Sequence, residues 1–370
     1  MCLVIQKGGK PVLSNLFNEI ICSENVEEAY RLCMQGKTKF KVDAILFDKD
    51  KTYNINMLIS ELKNKTYKMS EYTEFYVYEP KQRKIYAPCF RDKLVQMMIN
   101  NIVKEMFNKS FIFDSYACID SKGTHKSAER IQNFIKRASF EYGKGAFIIK
   151  IDIKKFFYSI DREVLKTFLP KMIKCDLTLS LINLIIDSSP NELGLPLGNI
   201  TSHMLANYYL HQVDVFIKRK LSVKYYVRYM DDMMIIVKDK EKAKGILNFV
   251  EKFINEILKL ELNKKKTKIS PVEQGVNMVG YKIYKTHRLL RNDSKKKIKR
   301  KMKKIPDLIF FNKITKEKSE QMLNSWLGHA RNCCSYNFIS KLINKHNYIK
   351  IDKQGTLKIN EEVIYDGFKA

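Results

Sequence analysis

Two adjacent aspartates, Asp231 and Asp232, interrupt a long apolar stretch and restrict what the chain can fold into. Residues 225–230 before them and 233–237 after them are mostly apolar and rich in β-prone side chains. The pattern predicts two strands joined by a tight turn that carries both carboxylates. Burying a carboxylate beside such strands is costly unless a cation or hydrogen-bond donors compensate its charge. An exposed hairpin turn is the ordinary alternative, and this segment alone leaves both interpretations open.

A third carboxylate, Asp152, ends another apolar run, residues 146–151. Three carboxylates at the ends of buried strands suit a site that holds two Mg²⁺ ions for phosphoryl transfer, because Mg²⁺ prefers hard oxygen ligands. The sequence has no cluster of His and Cys with metal-ligand spacing to compete for that role. We therefore predict that Asp152, Asp231 and Asp232 are catalytic and hold the metal. Asp161 instead precedes a helical segment and is expected to cap it.

The charge balance of the chain favours a polyanionic partner. Its 370 residues include 68 Lys and Arg against 40 Asp and Glu, which gives a net charge of +28. A Lys-rich proteome is the alternative source of such an excess, so charge alone decides little. Because 45% of the residues are hydrophobic, the chain has enough apolar material for buried cores, which excludes a globally disordered protein.

The sequence predicts no membrane partner. No apolar run approaches the roughly 18–20 residues of a membrane-spanning helix, and the first residues lack the pattern of a signal peptide. The eight cysteines have no C-x-x-C spacing, which favours reduced thiols. We therefore expect a cytoplasmic protein.

Strand and helix periodicities are neither strictly alternating nor segregated, which predicts the α+β class. We expect strands at residues 75–78, 84–86 and 146–152, and helical segments over residues 162–186, 201–220 and 241–259. Residues 295–304 read KKKIKRKMKK, with eight basic residues in ten, and indicate a domain boundary near residue 290. A hairpin is predicted around Gln354–Gly355.

Four motifs together resemble those of reverse transcriptases, and they occur in that family's order between about residues 70 and 290. They are KIDIKKFFYSID at 150–161, GLPLGNITS at 194–202, YMDD at 229–232 and VGYKI at 279–283. The resemblance implies an RNA-directed DNA polymerase with a right-hand fold of fingers, palm and thumb. It also implies a mixed palm sheet and a helical thumb.

The resemblance also implies how the chain is divided. We expect an N-terminal helical extension at 1–70, fingers at 71–145, a palm with interleaved fingers elements at 146–290 and a basic helical thumb at 291–345. The sequence leaves the role of the C-terminal extension, residues 346–370, open.

Several nucleotide-binding roles follow from the resemblance. The Ile153 carbonyl would assist the three aspartates in holding two Mg²⁺ ions. The position of Phe157 is similar to that of the family's steric gate, which favours dNTPs over rNTPs, although packing beside Phe156 is the alternative. The remaining candidates for nucleotide binding are Lys81 and Arg83 on a hairpin, Leu197 and Gly198 in the glycine motif, and Lys266, a candidate acid for pyrophosphate. For Lys81 and Arg83, exposed turn charge is the alternative.

Template and primer are expected to contact the primer-grip region and the basic thumb. A solvated helix face is the alternative interpretation of the thumb lysines. The candidate nucleic-acid-binding residues are Gly280, Tyr281, Arg288, Arg291, Lys295, Lys296, Lys297, Lys299, Arg300 and Lys301.

The subclass is similar to the reverse transcriptases of diversity-generating retroelements, of bacterial or phage origin. Their pattern has a hydrophobic residue before the glycine, as Leu197 here, and Ser-Gln after it, where this chain has Ser202-His203. Further matches are residues 77–81, 115–118, 123–126, 286–291 and 325–330. This resemblance implies adenine-directed mutagenesis during cDNA synthesis.

Two alternatives remain open at this stage. The first is a defence-associated reverse transcriptase that copies a non-coding RNA in anti-phage immunity. The second is a catalytically idle RNA-binding scaffold, which the presence of all three aspartates disfavours. The expected partners are a template RNA or cognate non-coding RNA, cDNA and dNTPs, with a small accessory protein oligomer as a further candidate.

Overall fold

Helical and extended periodicities along the sequence become distinct elements in a computed structural model, which describes residues 16–78 and 82–369. The helices are α1 (Leu16–Ile20), α2 (Ser23–Cys33), α3 (Val42–Lys49), α4 (Lys51–Lys63), α5 (Phe90–Ser110), α6 (Thr124–Tyr142), α7 (Phe156–Ser159), α8 (Arg162–Phe168), α9 (Asp176–Asp187), α10 (Ile200–Val215), α11 (Lys240–Glu256), α12 (Asn292–Phe310), α13 (Lys316–Ala330), α14 (Tyr336–Asn344) and α15 (Glu361–Lys369). The strands are β1 (Thr73–Val77), β2 (Arg83–Ala87), β3 (Phe147–Asp152), β4 (Tyr225–Tyr229), β5 (Asp232–Val237), β6 (Lys268–Pro271), β7 (Val276–Met278), β8 (Tyr281–Ile283), β9 (Arg288–Leu290), β10 (Ile349–Ile351) and β11 (Leu357–Ile359).

The chain divides into two units, each assembled from three segments. The first unit contains the residues up to Ile119 together with Ile151–Ser222 and Ile246–Lys266. The second contains Asp120–Lys150, Val223–Gly245 and the residues from Thr267 onward. Because the division falls after Lys150, Asp152 belongs to the first unit, and Asp231 and Asp232 belong to the second.

In the first unit, helix α5 is the centre of the core. It packs against α1, α2, α3 and α10, and its apolar residues, such as Leu94, Met98 and Phe107, are fully buried. Asn25 on α2 donates a hydrogen bond to the Met98 carbonyl oxygen at 3.0 Å, and the Phe107 ring meets Tyr208 edge-on at 4.5 Å. Strands β1 and β2 form the predicted antiparallel hairpin of this unit.

In the second unit, four strands form a sheet in the order β4-β5-β3-β6. The pairs β4–β5 and β3–β6 are antiparallel, and helix α6 packs against β4 and β5. Every residue from Met233 to Val237 on β5 is buried, as its continuous apolar run predicts. A second sheet, β7-β8-β9, is an antiparallel meander.

The C-terminal residues pack on the helices of the basic segment. The predicted hairpin forms as β10 and β11, and Asn324 on α13 brackets it through two hydrogen bonds with the Leu357 backbone, at 2.9 and 2.7 Å. Glu320 accepts a further hydrogen bond from the Ile359 amide at 2.9 Å, and the Tyr348 hydroxyl donates to the Met302 carbonyl oxygen on α12. Residues 346–369 therefore complete the core around α12 and α13.

Two further observations concern the helices. The segment 162–186, predicted to be helical, forms two helices, α8 and α9, separated by a turn that contains Pro170. Proline ends a helix because it lacks an amide hydrogen and its ring clashes with the preceding turn. Among the described residues, no helix combines the length and apolar character needed to cross a membrane.

Candidate active site

Asp152, at the end of β3, is a nearly fully buried carboxylate, with 3% of the residue exposed. Its Oδ2 lies 2.6 Å from the Nζ of Lys266, so an ammonium group compensates the buried charge. The Asn263 amide donates to the Asp152 carbonyl oxygen at 2.7 Å, which fixes the backbone of the carboxylate. Lys266, the candidate acid for pyrophosphate, therefore forms an ion pair with Asp152, a predicted metal ligand.

A short pairing with a neighbouring segment sets the direction of the Ile153 carbonyl group. Ile153 pairs with Leu262 as an isolated antiparallel bridge. The hydrogen bonds of this bridge use the neighbouring residues, because the Lys154 amide donates to Glu261 at 2.9 Å and the Asn263 amide donates to Asp152. In such a pair the polar groups of the central residue point to the opposite side. The Ile153 carbonyl therefore points away from Leu262, as a metal ligand would require.

Asp231 and Asp232 lie where the sequence predicted, at a tight turn between β4 and β5. Tyr229 pairs with Asp232, so the loop consists of Met230 and Asp231. Met230 has a φ of +53°, in the left-handed region that non-glycine residues seldom adopt. The Oδ1 of Asp232 is buried, accepts no hydrogen bond and lies 3.4 Å from the Nζ of Lys150. The ammonium group of Lys150 therefore compensates the charge of this carboxylate, whose side chain is 31% exposed.

Two cations that the sequence analysis did not single out support the turn. Lys150 pairs with Asp232, and Arg228 is fully buried with its Nη1 3.4 Å from the Met230 carbonyl oxygen. Each is a charged residue inside an otherwise apolar strand. A charged residue inside an apolar strand is therefore a sign, readable from the sequence, of a nearby polar partner, because charged side chains are rarely buried without one.

Phe156 and Phe157 have different environments. Phe156 is buried at 3% exposure, whereas Phe157 is only half-buried, and its ring lies edge-on to His203 at 5.3 Å. The Leu195 amide donates to the Phe157 carbonyl oxygen at 2.9 Å, and a Cβ at Gly194 would lie 2.7 Å from that oxygen. Core packing therefore describes Phe156, while the glycine motif holds the Phe157 backbone in place.

The glycine motif also approaches strand β2. The Tyr86 amide donates to the Leu197 carbonyl oxygen at 2.7 Å, and a Cβ at Gly198 would overlap the Tyr86 carbonyl oxygen. Arg83, the first residue of β2, is exposed. Desolvation and the positive charge of Arg83 both lower the pKa of His203, the residue that follows the glycine motif. Lys81 lies outside the described residues.

Helix α12 has a buried apolar face and a basic face. Ile298, Met302, Ile305 and Ile309 are buried at helical spacing, and the predicted nucleic-acid-binding residues Lys296, Lys297, Lys299 and Arg300 are exposed. Lys295 and Lys299 lie over the ring of Phe338 at 5.6 Å.

The remaining candidates for nucleic-acid binding differ in exposure. Arg291 pairs with Asp293 at 3.5 Å, and Arg288 and Lys301 are partly exposed. Tyr281, the neighbour of Gly280, is fully buried.

The side chains that could hold a metal ion are the carboxylates of Asp152, at the end of β3, and of Asp231 and Asp232, at the turn between β4 and β5. Within residues 16–78 and 82–369, no three His, Cys, Asp or Glu side chains are grouped so as to hold a metal ion. Asp152 and Asp232 do have the chemistry of magnesium ligands, because each is a hard oxygen donor whose charge is compensated by a lysine.

The sequence from residue 69 to 283, more than half of the chain, matches the family model described as reverse transcriptase (RNA-dependent DNA polymerase). The chain belongs to the reverse transcriptase family. The matched residues contain the three aspartates, the glycine motif and the VGYKI motif. Membership confirms the fold class, an α+β right-hand polymerase, and the enzyme class of this domain.

Individual reverse transcriptases with curated descriptions are similar to this chain. The group II intron-encoded protein LtrA of Lactococcus lactis subsp. cremoris is 25% identical over 303 residues, covering 62% of this chain and 49% of LtrA. The chain thus spans about half the length of that relative. The retron Ec73 reverse transcriptase of Escherichia coli is 26% identical over 296 residues, covering 74% of this chain and 82% of the retron protein. Among solved structures, apo telomerase from Candida tropicalis has a TM-score of 0.49 at 13% identity, covering 74% of this chain and 60% of that one.

Proposed function

We propose that this protein is an RNA-directed DNA polymerase that extends a primer with dNTPs along a cognate RNA template. The observation that carries the proposal is the reverse transcriptase match over residues 69–283, which includes Asp152, Asp231 and Asp232. Two carboxylates that are each paired with a lysine, the buried Asp152 and the partly exposed Asp232, support it. An exposed Asp–Asp turn with no chemical role would not need such compensation.

The two metal ions would be held by Asp152, Asp231, Asp232 and the Ile153 carbonyl. Two bound Mg²⁺ ions would lower the pKa of the primer 3′-hydroxyl and neutralise charge on the leaving pyrophosphate. Lys266 would exchange its Asp152 partner for the pyrophosphate, to which it would donate a proton. The turn geometry set by Met230 and Arg228 would keep the carboxylates oriented before substrate binds.

Other side chains would select and hold the substrates. Arg83 and Lys81 would contact triphosphate oxygens, as would the backbone of Leu197 and Gly198 in the glycine motif. The half-buried ring of Phe157 would crowd a 2′-hydroxyl and so favour dNTPs. Gly280 and the exposed basic face of α12 would hold the primer and the template backbone, since phosphate contacts supply most of the non-specific affinity for nucleic acid.

A primer-extension assay on an RNA template tests this function. The wild-type chain should incorporate dNTPs in the presence of Mg²⁺, and Asp231→Asn should abolish incorporation while leaving the melting temperature unchanged. Asp239→Asn is the matched control, because it makes the same change at a carboxylate that caps α11 through the Lys242 amide, a role that Asn also fills. Equal activity of Asp231→Asn and the wild type would contradict the proposal.

We place the enzyme in a diversity-generating retroelement, with adenine-directed misincorporation, on the basis of the Leu197-Gly198 pattern. The alternative, a defence-associated enzyme that copies a non-coding RNA, is favoured by the match to 82% of the retron protein. Sequencing the nucleic acid that co-purifies with the chain separates the two. Copies of a repeat with substitutions at adenines support the first, and a single structured RNA with faithful cDNA supports the second. A small accessory protein oligomer is a further proposed partner in the retroelement setting.

A further inference from the structure

The turn between β7 and β8 is strained. Met278 pairs with Tyr281, so the loop consists of Val279 and Gly280, and both have positive φ, +44° and +89°. Two positive values are typical of the type I′ hairpin turn, for which Asn-Gly is the preferred sequence. A β-branched residue such as Val279 is an outlier there and persists only where surrounding contacts hold it.

His329, near the end of α13, supplies such a contact. A Cβ at Gly280 would lie 2.8 Å from both Cε1 and Nε2 of His329, so the imidazole fills the space that a side chain would need. The same ring stacks on Tyr281, with centroids 4.3 Å apart and planes at 19°. The His329 ring thus contacts both the turn and the residue that follows it.

The Tyr281 hydroxyl extends this contact to a second helix. It donates to the His329 carbonyl oxygen at 2.8 Å, and the Nδ1 atoms of His329 and His125 lie 3.0 and 3.2 Å from it. A hydroxyl donates one hydrogen bond and accepts two, so both imidazoles fit as Nδ1–H donors, a tautomer assignment made from the network. Burial lowers the pKa of His329, and a hydrogen bond between its ring and the Gly280 backbone opposes that shift.

We propose that His329 is a positioning residue that keeps the Val279–Gly280 turn in its strained conformation and thereby orients the primer for extension. The inference rests on the proposed polymerase function. Helix α13 packs against both the turn, through His329, and the basic helix α12. One helix therefore sets the spacing between the turn that holds the primer and the lysines that contact the duplex backbone.

Steady-state primer extension and equilibrium binding test this role together. His329→Ala should raise both the KM and the Kd for a fluorescein-labelled RNA–DNA primer–template about tenfold, while kcat at saturation changes by less than about threefold. Asn324→Ala is the control on the same helix. It removes the two hydrogen bonds to the Leu357 backbone and should lower the melting temperature without changing the KM or the Kd. If His329→Ala does not fold, Gly280→Ala places a Cβ against the same ring and should give the same increases.

A rescue experiment separates positioning from general destabilisation. Val279→Asn makes the turn Asn-Gly, which favours the observed φ values without outside support. In the His329→Ala background it should return the Kd and KM to within about threefold of the wild type. Unchanged constants in His329→Ala, an equal increase in Asn324→Ala, or no rescue would each overturn the inference. A wild-type chain that extends no primer would refute the proposed function instead, and the Kd measurements would still decide this inference.

Discussion

Arg162 organises the loop that leads into the glycine motif, and its removal makes a quantitative prediction. Its Nη2 donates to the carbonyl oxygens of Asn191 and Glu192, both at 2.8 Å, and its Nη1 donates to that of Ile186 at 3.2 Å. Immediately after this loop, the amide hydrogens of Gly194 and Leu195 donate to Ile160 and Phe157. Arg162→Ala should therefore loosen the attachment of Phe157.

The magnitude follows from the two shortest bonds. Each hydrogen bond from a charged donor contributes about 1.5–3 kcal/mol, and the freed carbonyl groups of this loop regain water, so the lower end applies. Two bonds then give a loss of about 3 kcal/mol in the local opening free energy. Since 1.4 kcal/mol corresponds to a factor of ten, the Gly194 and Leu195 amides should exchange with solvent about 100-fold faster.

Hydrogen exchange followed by mass spectrometry measures this effect on peptides that cover residues 187–195. Lys166→Ala is the matched control on the same helix, since it removes partly exposed ion pairs with Glu163 and Asp187 that contribute at most about 1 kcal/mol. Arg162→Lys should behave like Arg162→Ala, because an ammonium group cannot span several carbonyls as the planar guanidinium does. Exchange within threefold of the wild type in Arg162→Ala would refute the reasoning.

Three further predictions concern selectivity, binding and stability. Phe157→Ala should reduce the preference for dNTPs over rNTPs by about tenfold or more, measured as the ratio of kcat/KM values, and an unchanged ratio would argue against the gate. Replacing Lys296, Lys297 and Arg300 by Ala should flatten the dependence of log Kd on log salt by about 0.9 for each phosphate that the variant no longer neutralises, whereas a solvated face predicts the same slope. Asn324→Ala should cost about 2–4 kcal/mol because it leaves the buried Leu357 backbone unpaired, and denaturation followed by fluorescence of Trp326, the single tryptophan, reports it. A loss below about 0.5 kcal/mol would contradict that last reasoning.

Local patterns in the sequence predicted local structure well. The β4–β5 hairpin, the hairpin at Gly355 and the N-cap at Asp161, whose Oδ1 accepts from the Val164 amide at 3.0 Å, are all confirmed. Each depends on neighbours within a few residues, so alternation, turn residues and capping preferences suffice. The family could be predicted because all four motifs occur in this one chain and in the family's order.

Contacts between distant residues could not be read in the same way. Arg162 binds carbonyl groups 24 to 30 residues away, and His329 meets Tyr281 across 48 residues. Nothing in the local pattern of either residue predicts which distant groups it contacts. The ion pair of Lys266 illustrates the same limit, because its partner Asp152 is 114 residues away. Chain topology brings these partners together, and periodicity carries no information about it.

The proposed polymerase requires that Asp152, Asp231 and Asp232 jointly bind its metal ions. Its most direct test is a crystal structure of the chain with primer–template, a non-hydrolysable dNTP and Mn²⁺, in which anomalous scattering locates the ions. All three aspartates should coordinate the ions, with the Lys266 ammonium displaced from Asp152. A ternary complex in which no ion contacts Asp152 or Asp231 would contradict it.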